Sequence, residues 1–461
     1  MRVRILVLAA FVLAYAAIGG TRVVAAPACN EHCVKAARAD AFVDSIGVNV
    51  HVGFCDWNDE LLWTRHYRLL EESGIRHIRA GGPHWPCNAA GQIDQLYREA
   101  GIRNLAMLGP TTTPDEIAHM IVEMPHMELI EAANEYDLTQ DDHAWWETLG
   151  NEQRRLATIV RSDTRFAGVK ILCPSTAGYI GAEALYRHVG PLASFCDYGN
   201  AHAALDGYWP GTTGWGGPFT VEAAGVRCTG FYKTIAYATC YPRFVSGRRP
   251  VMVTESGYGP VVPDDWPGCG VRYDCKNWTS YSLSTKYLPR QFLAWFQNGN
   301  PRAYTYDWID SGPAGGTDYA TRFGGLLDGQ ARPKPDYYAL KNLIATLRDP
   351  GPPFAVSPLS LALSGETANV RSQLFEKRDG TYYVLIWIET SGQDPNANPP
   401  RAIAVAPQRV ALALGRPIRS ASATTIETSG ALSAPSTLRF ENGQASLSIT
   451  DAVTIVRLAL R

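Results

Sequence analysis

Two glutamates stand where apolar, β-branched runs end. Pro250-Val251-Met252-Val253-Thr254-Glu255-Ser256-Gly257 reads as a buried strand with Glu255 at its mouth, and Glu128-Leu129-Ile130-Glu131-Ala132-Ala133-Asn134-Glu135 ends on a second acid. A carboxylate taken out of water is costly unless it is paired. Either acid alone reads as a surface or ion-paired residue. Facing each other across a cleft, the two are the minimum equipment for cleaving a glycosidic bond: one carboxyl protonates the leaving oxygen, and the other attacks the anomeric carbon or activates water. Retention of configuration is expected for a carboxyl separation of ~5 Å, and inversion for one nearer ~8 Å. Glu131 shares a strand face with Glu135 and reads as the partner of an interior base such as Arg79.

Two acids on distant strands meet only if the fold sends both strand ends to one face. From Ser45 onward, β-branched runs bounded by Gly or Pro alternate with apolar residues at three- and four-residue intervals. The strands are Ile46 to Gly53, Ile75 to Gly81, Ile102 to Gly109, Met127 to Glu135, Val169 to Pro174, Tyr198 to Ala204, Pro250 to Gly257 and Ala303 to Ile309. Each is followed by a helix pattern, one opened by Thr113-Pro114-Asp115-Glu116 and the sixth around Val221 to Tyr237. Eight such repeats define an α/β chain folded as a (β/α)8 TIM barrel, in which the site forms at the C-terminal strand ends whatever the reaction. That rule selects His51 or Phe54, Arg79, Asn134, Glu135, His202, Glu255 and the segment Tyr306 to Asp310.

Flat apolar faces beside hydrogen-bonding groups suit sugars. Trp209 and Trp215 in the loop after strand six, Trp308 at the end of strand eight, and Trp57 and Trp85 after strands one and two are the candidate platforms, with Trp308 foremost.

The Pro/Gly linker Arg348-Asp349-Pro350-Gly351-Pro352-Pro353 ends the barrel pattern, and short alternating β runs continue to Leu460. The expected organisation is a barrel over 27–348 and a β-sandwich over 349–461, the sandwich completed by a strand from elsewhere. Residues 1–26 have the layout of a secretory signal peptide: Arg2 and Arg4, an apolar run from Ile5 to Gly20, and small residues at Ala25-Ala26. The run is short for a membrane anchor. All 10 cysteines lie beyond it, which argues for disulfides in a secreted or periplasmic protein. Cys269 with Cys275 closes one small loop, and Cys55 with Cys87 ties two loops at one end of the barrel. With 42 basic and 44 acidic residues and no charge blocks, the chain offers nothing for nucleic acid or a membrane surface. No P-loop or dinucleotide fingerprint is present, and no metal or other cofactor is required by this chemistry.

The Asn134-Glu135 pair after strand four and Glu255 after strand seven resemble the retaining glycoside hydrolases of clan A, and the appended β domain makes family 39 the nearest likeness, with families 5 and 30 as neighbours. The resemblance implies that Glu135 is general acid then base, with a raised pKa, that Glu255 is the nucleophile, and that Asn134 binds the 2-hydroxyl next to the reacting carbon. It further implies that Arg79 lies against the nucleophile and that His202 lines the site. The tyrosine that often follows such a histidine by two residues is Ala204 in this chain, so Tyr208, Tyr304 or Tyr306 has to supply that contact. A transglycosylase would use the same residues, and a non-catalytic carbohydrate-binding barrel would not need both acids. The partner expected is an oligo- or polysaccharide or another glycoside.

Overall fold

The computed structural model describes residues 32–52, 60–82, 89–109, 111–139, 142–232, 234–269, 274–310 and 323–461, with 60–62, 215–219 and 232 described as backbone only. The expected leader and the pair Cys55 with Cys87 lie outside these residues.

Eight parallel strands make one sheet: Ile46–Asn49, His77–Gly81, Arg103–Met107, Met127–Glu131, Lys170–Ile171, Gly199–Ala204, Val251–Gly257 and Ala303–Thr305. The eighth pairs with the first, and every other pairing is between strands consecutive in sequence. The ring closes between the fifth and sixth, where Leu172 and Tyr198 form a parallel bridge and the Cys173–Cys196 disulfide joins the same two segments. This is the (β/α)8 barrel. Its outer helices include Pro114–Glu123, where Thr113 and Glu116 cap each other's backbone N–H groups as the Thr-Pro-Asp-Glu run requires.

The sixth unit differs from expectation. In place of a helix over Val221 to Tyr237 there is a hairpin, Trp215–Ala223 with Val226–Tyr232, and then one-turn helices at Ile235–Ala238 and Arg243–Ser246. Its two-residue turn, Ala224-Gly225, has φ of 57° and 69°, the doubly positive pattern that matches strand twist. The Cys228–Cys240 disulfide pins the hairpin to the turn between those two helices, and Cys269–Cys275 forms as expected.

Strand alternation stacks the barrel interior in layers. Leu105, Leu129, Leu172, Met252 and Tyr304 fill an apolar layer. Two residues further along their strands, Glu131 and Thr254 begin a buried polar layer with Asn49, Arg79 and Asn200, and the site rests on it.

The C-terminal region is a β-sandwich that takes an edge strand for each sheet from the N-terminal segment, which the sequence pattern assigns to the barrel. Cys33–Val34 extends the sheet of Leu359–Gly365, Gln408–Leu414 and Gln444–Ile449. Ala37–Arg38 extends the sheet of Val370–Glu376, Tyr382–Ile388, Thr454–Leu460 and Ile418–Thr425. Tyr382–Ile388 is buried along its whole length because alternate residues face different cores: Tyr382, Val384, Ile386 and Ile388 join the sandwich core, while Tyr383, Leu385 and Trp387 pack against the barrel. Among the described residues no helix is long and apolar enough to cross a membrane.

Candidate active site

Arg79, buried at the end of the second strand, is the hub of the site floor. Its Nε donates to Glu131 at 2.5 Å, Nη1 donates to Asn49 at 2.9 Å and to Glu255 at 2.6 Å, and Nη2 donates to Asn134 at 2.5 Å. Glu131 also accepts from Asn200 at 2.6 Å. The guanidinium therefore neutralises one fully buried carboxylate and orients a second, which answers the desolvation cost of both.

Glu255 reaches this hub through a β-bulge. The seventh strand pairs Val253 with Ala201 but Glu255 with His202, so Thr254 is the extra residue. Regular alternation would send Thr254 and Glu255 to opposite faces; the bulge turns both inward. Thr254 contacts Asn200 and His202, and its freed carbonyl accepts from Asn49 Nδ2 at 2.9 Å. Glu135 is aimed by a different device: it lies past the strand end in the left-handed region, φ 40°, ahead of the turn Tyr136–Leu138.

His202 stands between the acids. Its Nδ1 is 2.6 Å from Glu135 Oε1 and 3.8 Å from Glu255 Oε2, and its Nε2 is 3.1 Å from the Thr254 hydroxyl. The Tyr241 hydroxyl donates to the His202 carbonyl at 3.0 Å and accepts its N–H at 3.2 Å, fixing the backbone. A polar atom of each of Glu135, His202 and Glu255 lies within 4.8 Å of the other two.

Charge in this triad runs against one expectation. Burial pushes the Glu135 carboxyl up, but His202 and then Arg79 outweigh it, and its pKa lies below the ordinary carboxylate value. The raised value expected for a general acid is not found on Glu135. It is found on His202, where burial opposes the imidazolium but Glu255 and Glu135 hold the proton on. The two shifts together favour a proton held on the imidazole side of the Glu135–His202 hydrogen bond. Behind this pair, Asp137 is pushed up to about 6 by burial while accepting the Ala177 N–H.

Of the tyrosines that could stand in for the residue replaced by Ala204, Tyr306 is the one beside Glu255 in the cavity wall. Its hydroxyl lies 3.5 Å from His51 Nε2, and His51 Nδ1 is 3.2 Å from the buried Asp307. Tyr304 is in the apolar layer beneath, and Tyr208 is buried.

Trp308 is not a platform. The eighth strand ends at Thr305, and the indole passes behind the barrel wall, fully buried, donating to His66 at 3.2 Å and meeting Tyr337 edge-on. Phe54, Trp57, Trp85 and the Trp215 side chain lie outside the described residues. Asn49, Asn200, Thr254 and Tyr241 are not singled out by the sequence pattern; for the first three the available signal is a polar residue at an inward strand position.

Two cavities flank the acids, and Asn134, Glu255 and Tyr306 line both. One, of about 330 Å³, carries Glu135 and His202; the other, of about 200 Å³, carries Arg79, Asn49 and His51. Trp209 is half-buried against the barrel core and lines neither.

No protein-family model matches the chain, and no curated protein does. Solved structures do, among them glycoside hydrolases. A family 39 glycoside hydrolase from Bacteroides cellulosilyticus WH2 aligns over 91% of this chain and 82% of its own at TM-score 0.59 and 15% identity. A glucosidase from Croceicoccus marinus covers 93% and 97% at TM-score 0.59 and 10% identity. CelM2, a bifunctional glucanase-xylanase from a metagenome library, covers 94% and 98% at TM-score 0.54 and 9% identity. At these identities the likeness is one of fold, barrel and sandwich together.

Proposed function

We propose that the protein is a retaining glycoside hydrolase. The observation that carries this reading is the spacing of the acids: carboxylate oxygens of Glu135 and Glu255 lie within 4.8 Å of each other, on the side of a covalent mechanism and short of the roughly 6.5–9.5 Å at which an inverting enzyme fits its attacking water. Glu255, oriented by Arg79, attacks the anomeric carbon and forms a glycosyl ester as the C–O bond to the leaving group breaks. The departing oxygen takes its proton from Glu135, which draws it across the hydrogen bond from His202. Glu135 then takes a proton from water, whose oxygen attacks the same carbon and releases Glu255. Asn134, held through its carbonyl by Arg79, presents its amide toward the 2-hydroxyl. The disulfides Cys173–Cys196, Cys228–Cys240 and Cys269–Cys275 and the leader pattern favour action outside the cytoplasm.

The test is to screen aryl glycosides, then track the first-formed anomer of a cleaved one by proton NMR. The product is expected to keep the substrate's configuration. Glu255→Gln should lose at least ~10⁴-fold in kcat. An inverted first product, or a Glu255→Ala enzyme at wild-type rate, overturns the mechanism.

A further inference from the structure

The two cavities are chemically unlike, and this bears on what leaves. A general acid must reach the leaving oxygen, so the leaving group occupies the larger cavity, which Glu135 lines, and the retained sugar sits over Arg79, Asn49 and His51. A sugar ring bound as leaving group would bring several hydroxyls into that cavity, and each one buried without a partner costs about tenfold or more in affinity.

Beyond the acids the wall carries an aliphatic group, Ala177, Gly178, Ala203, Ala204, Leu205 and Ala238, with Asp206 as its one further carboxylate. Three of its five hydroxyl-bearing residues are committed to backbone, the other two being Tyr237 and Tyr306. Thr234 caps a helix by accepting the Tyr237 N–H and donates to the Phe231 carbonyl, Ser256 donates to the Tyr304 carbonyl, and Tyr241 is held by both backbone groups of His202. A second, independent observation lies on the segments that follow two of the lining residues. Leu138, three residues after Glu135, and Ile180, two residues after Gly178, are among the most exposed large apolar side chains of the described residues, at 62% and 69%. Their segments pack together, since Gly181 lies so close to the Asp137 carboxylate that a Cβ there would clash. Two exposed apolar side chains thus stand on the packed segments that follow Glu135 and Gly178.

We propose that the leaving group is an apolar aglycone, an aryl or alkyl alcohol, rather than a second sugar. The proposal rests on the glycosidase reading, and one experiment lets the two fail separately. With the sugar identified by an aryl-glycoside screen, kcat/KM is measured for the glycosyl fluoride, the benzyl glycoside and a disaccharide carrying that same sugar at its non-reducing end. Benzyl alcohol and a sugar hydroxyl are leaving groups of similar acidity, so their comparison reads the cavity, and fluoride reads the chemistry without it. The benzyl glycoside is expected to exceed the disaccharide by at least about 20-fold, and Ala204→Gln to lower the benzyl rate at least about fivefold more than the fluoride rate. A disaccharide cleaved as fast as the benzyl glycoside or faster overturns the aglycone assignment and leaves the glycosidase reading standing. Failure to turn over any glycosyl fluoride or aryl glycoside overturns the glycosidase reading itself.

Discussion

His202 and Arg79 show how much of the candidate chemistry rests on single side chains. The proton of the Glu135–His202 pair resides on the imidazole, whose pKa is raised by the two acids, while Glu135 is lowered by its positive neighbours. Activity should therefore fall on the alkaline side when the pair loses that proton, above the ordinary histidine value. In His202→Asn the proton can sit only on Glu135, so the alkaline limb of kcat/KM is expected to move to lower pH, toward the range of a buried carboxyl. A pH profile measured on an aryl glycoside decides it, and an unmoved alkaline limb would show that the pair does not share the proton. Arg79→Met removes the partner of a fully buried Glu131 together with the orienting contact to Glu255. It should cost about 3–5 kcal/mol of stability by denaturant titration and at least ~100-fold in kcat. Arg79, Glu135 and Glu255 were legible because a charge inside an apolar run needs a reason. Trp308 was misread because its place depends on where the strand stops, and neither propensity nor spacing marks that residue.

At the scale of elements, the barrel was readable from periodicity, while two irregularities were not. The bulge at Thr254 leaves no compositional mark, yet it places Glu255 inside. The hairpin after strand six was hidden because its turn carries Ala224 where Asn, Asp or Gly would announce positive φ. A β-carbon in that region costs energy, so Ala224→Asn is expected to stabilise the protein by about 0.5–1 kcal/mol, seen as a higher urea midpoint with an unchanged slope. The opposite end of the barrel has its own charge cluster. His77 bridges Asp44 at 3.0 Å and Glu128 at 2.6 Å, and Arg302 donates to Glu128 at 2.6 Å. The hydrogen bond from His77 holds Asp44 well below the usual carboxylate range; burial raises Glu128, but His77 and Arg302 bring it below its ordinary value. Carboxylates depressed in the folded state contribute their stability in full above the unfolded pKa near ~4 and lose it as pH falls through the folded values. The unfolding midpoint should thus drop below about pH 4, and Glu128→Gln should lower it at pH 7 while flattening that acid dependence.

At the scale of the whole molecule, the sandwich braces the site as well as capping the barrel. Gln393 donates to the carbonyls of Gly207 and Trp278 at 2.9 and 2.8 Å, and Glu389 accepts the Gly211 N–H at 3.2 Å, so two loops on the catalytic face hang from one sandwich edge. The interface is anchored by Arg290, fully buried in the barrel helix Tyr281–Gln297, which pairs with Glu389. Glu389 also accepts the Trp387 indole N–H at 2.7 Å. Removing one partner of a buried ion pair strands the other charge, whereas removing both charges together is nearly neutral. Glu389→Gln, which keeps one oxygen for the Arg290 and Gly211 donors or for Trp387 but not for both, is therefore expected to cost about 3 kcal/mol because it leaves the Arg290 charge uncompensated, and Arg290→Met a similar amount. The double substitution should cost less than the sum by about 2 kcal/mol or more, with both regions still unfolding in one transition. Additive losses would place the coupling elsewhere, in the apolar face of Tyr383, Leu385 and Trp387. Because Glu389 and Gln393 hold loops beside the larger cavity, Gln393→Ala should raise KM for a bulky aglycone while leaving the glycosyl fluoride rate within about threefold, which ties the sandwich to leaving-group binding and not to the bond-breaking step.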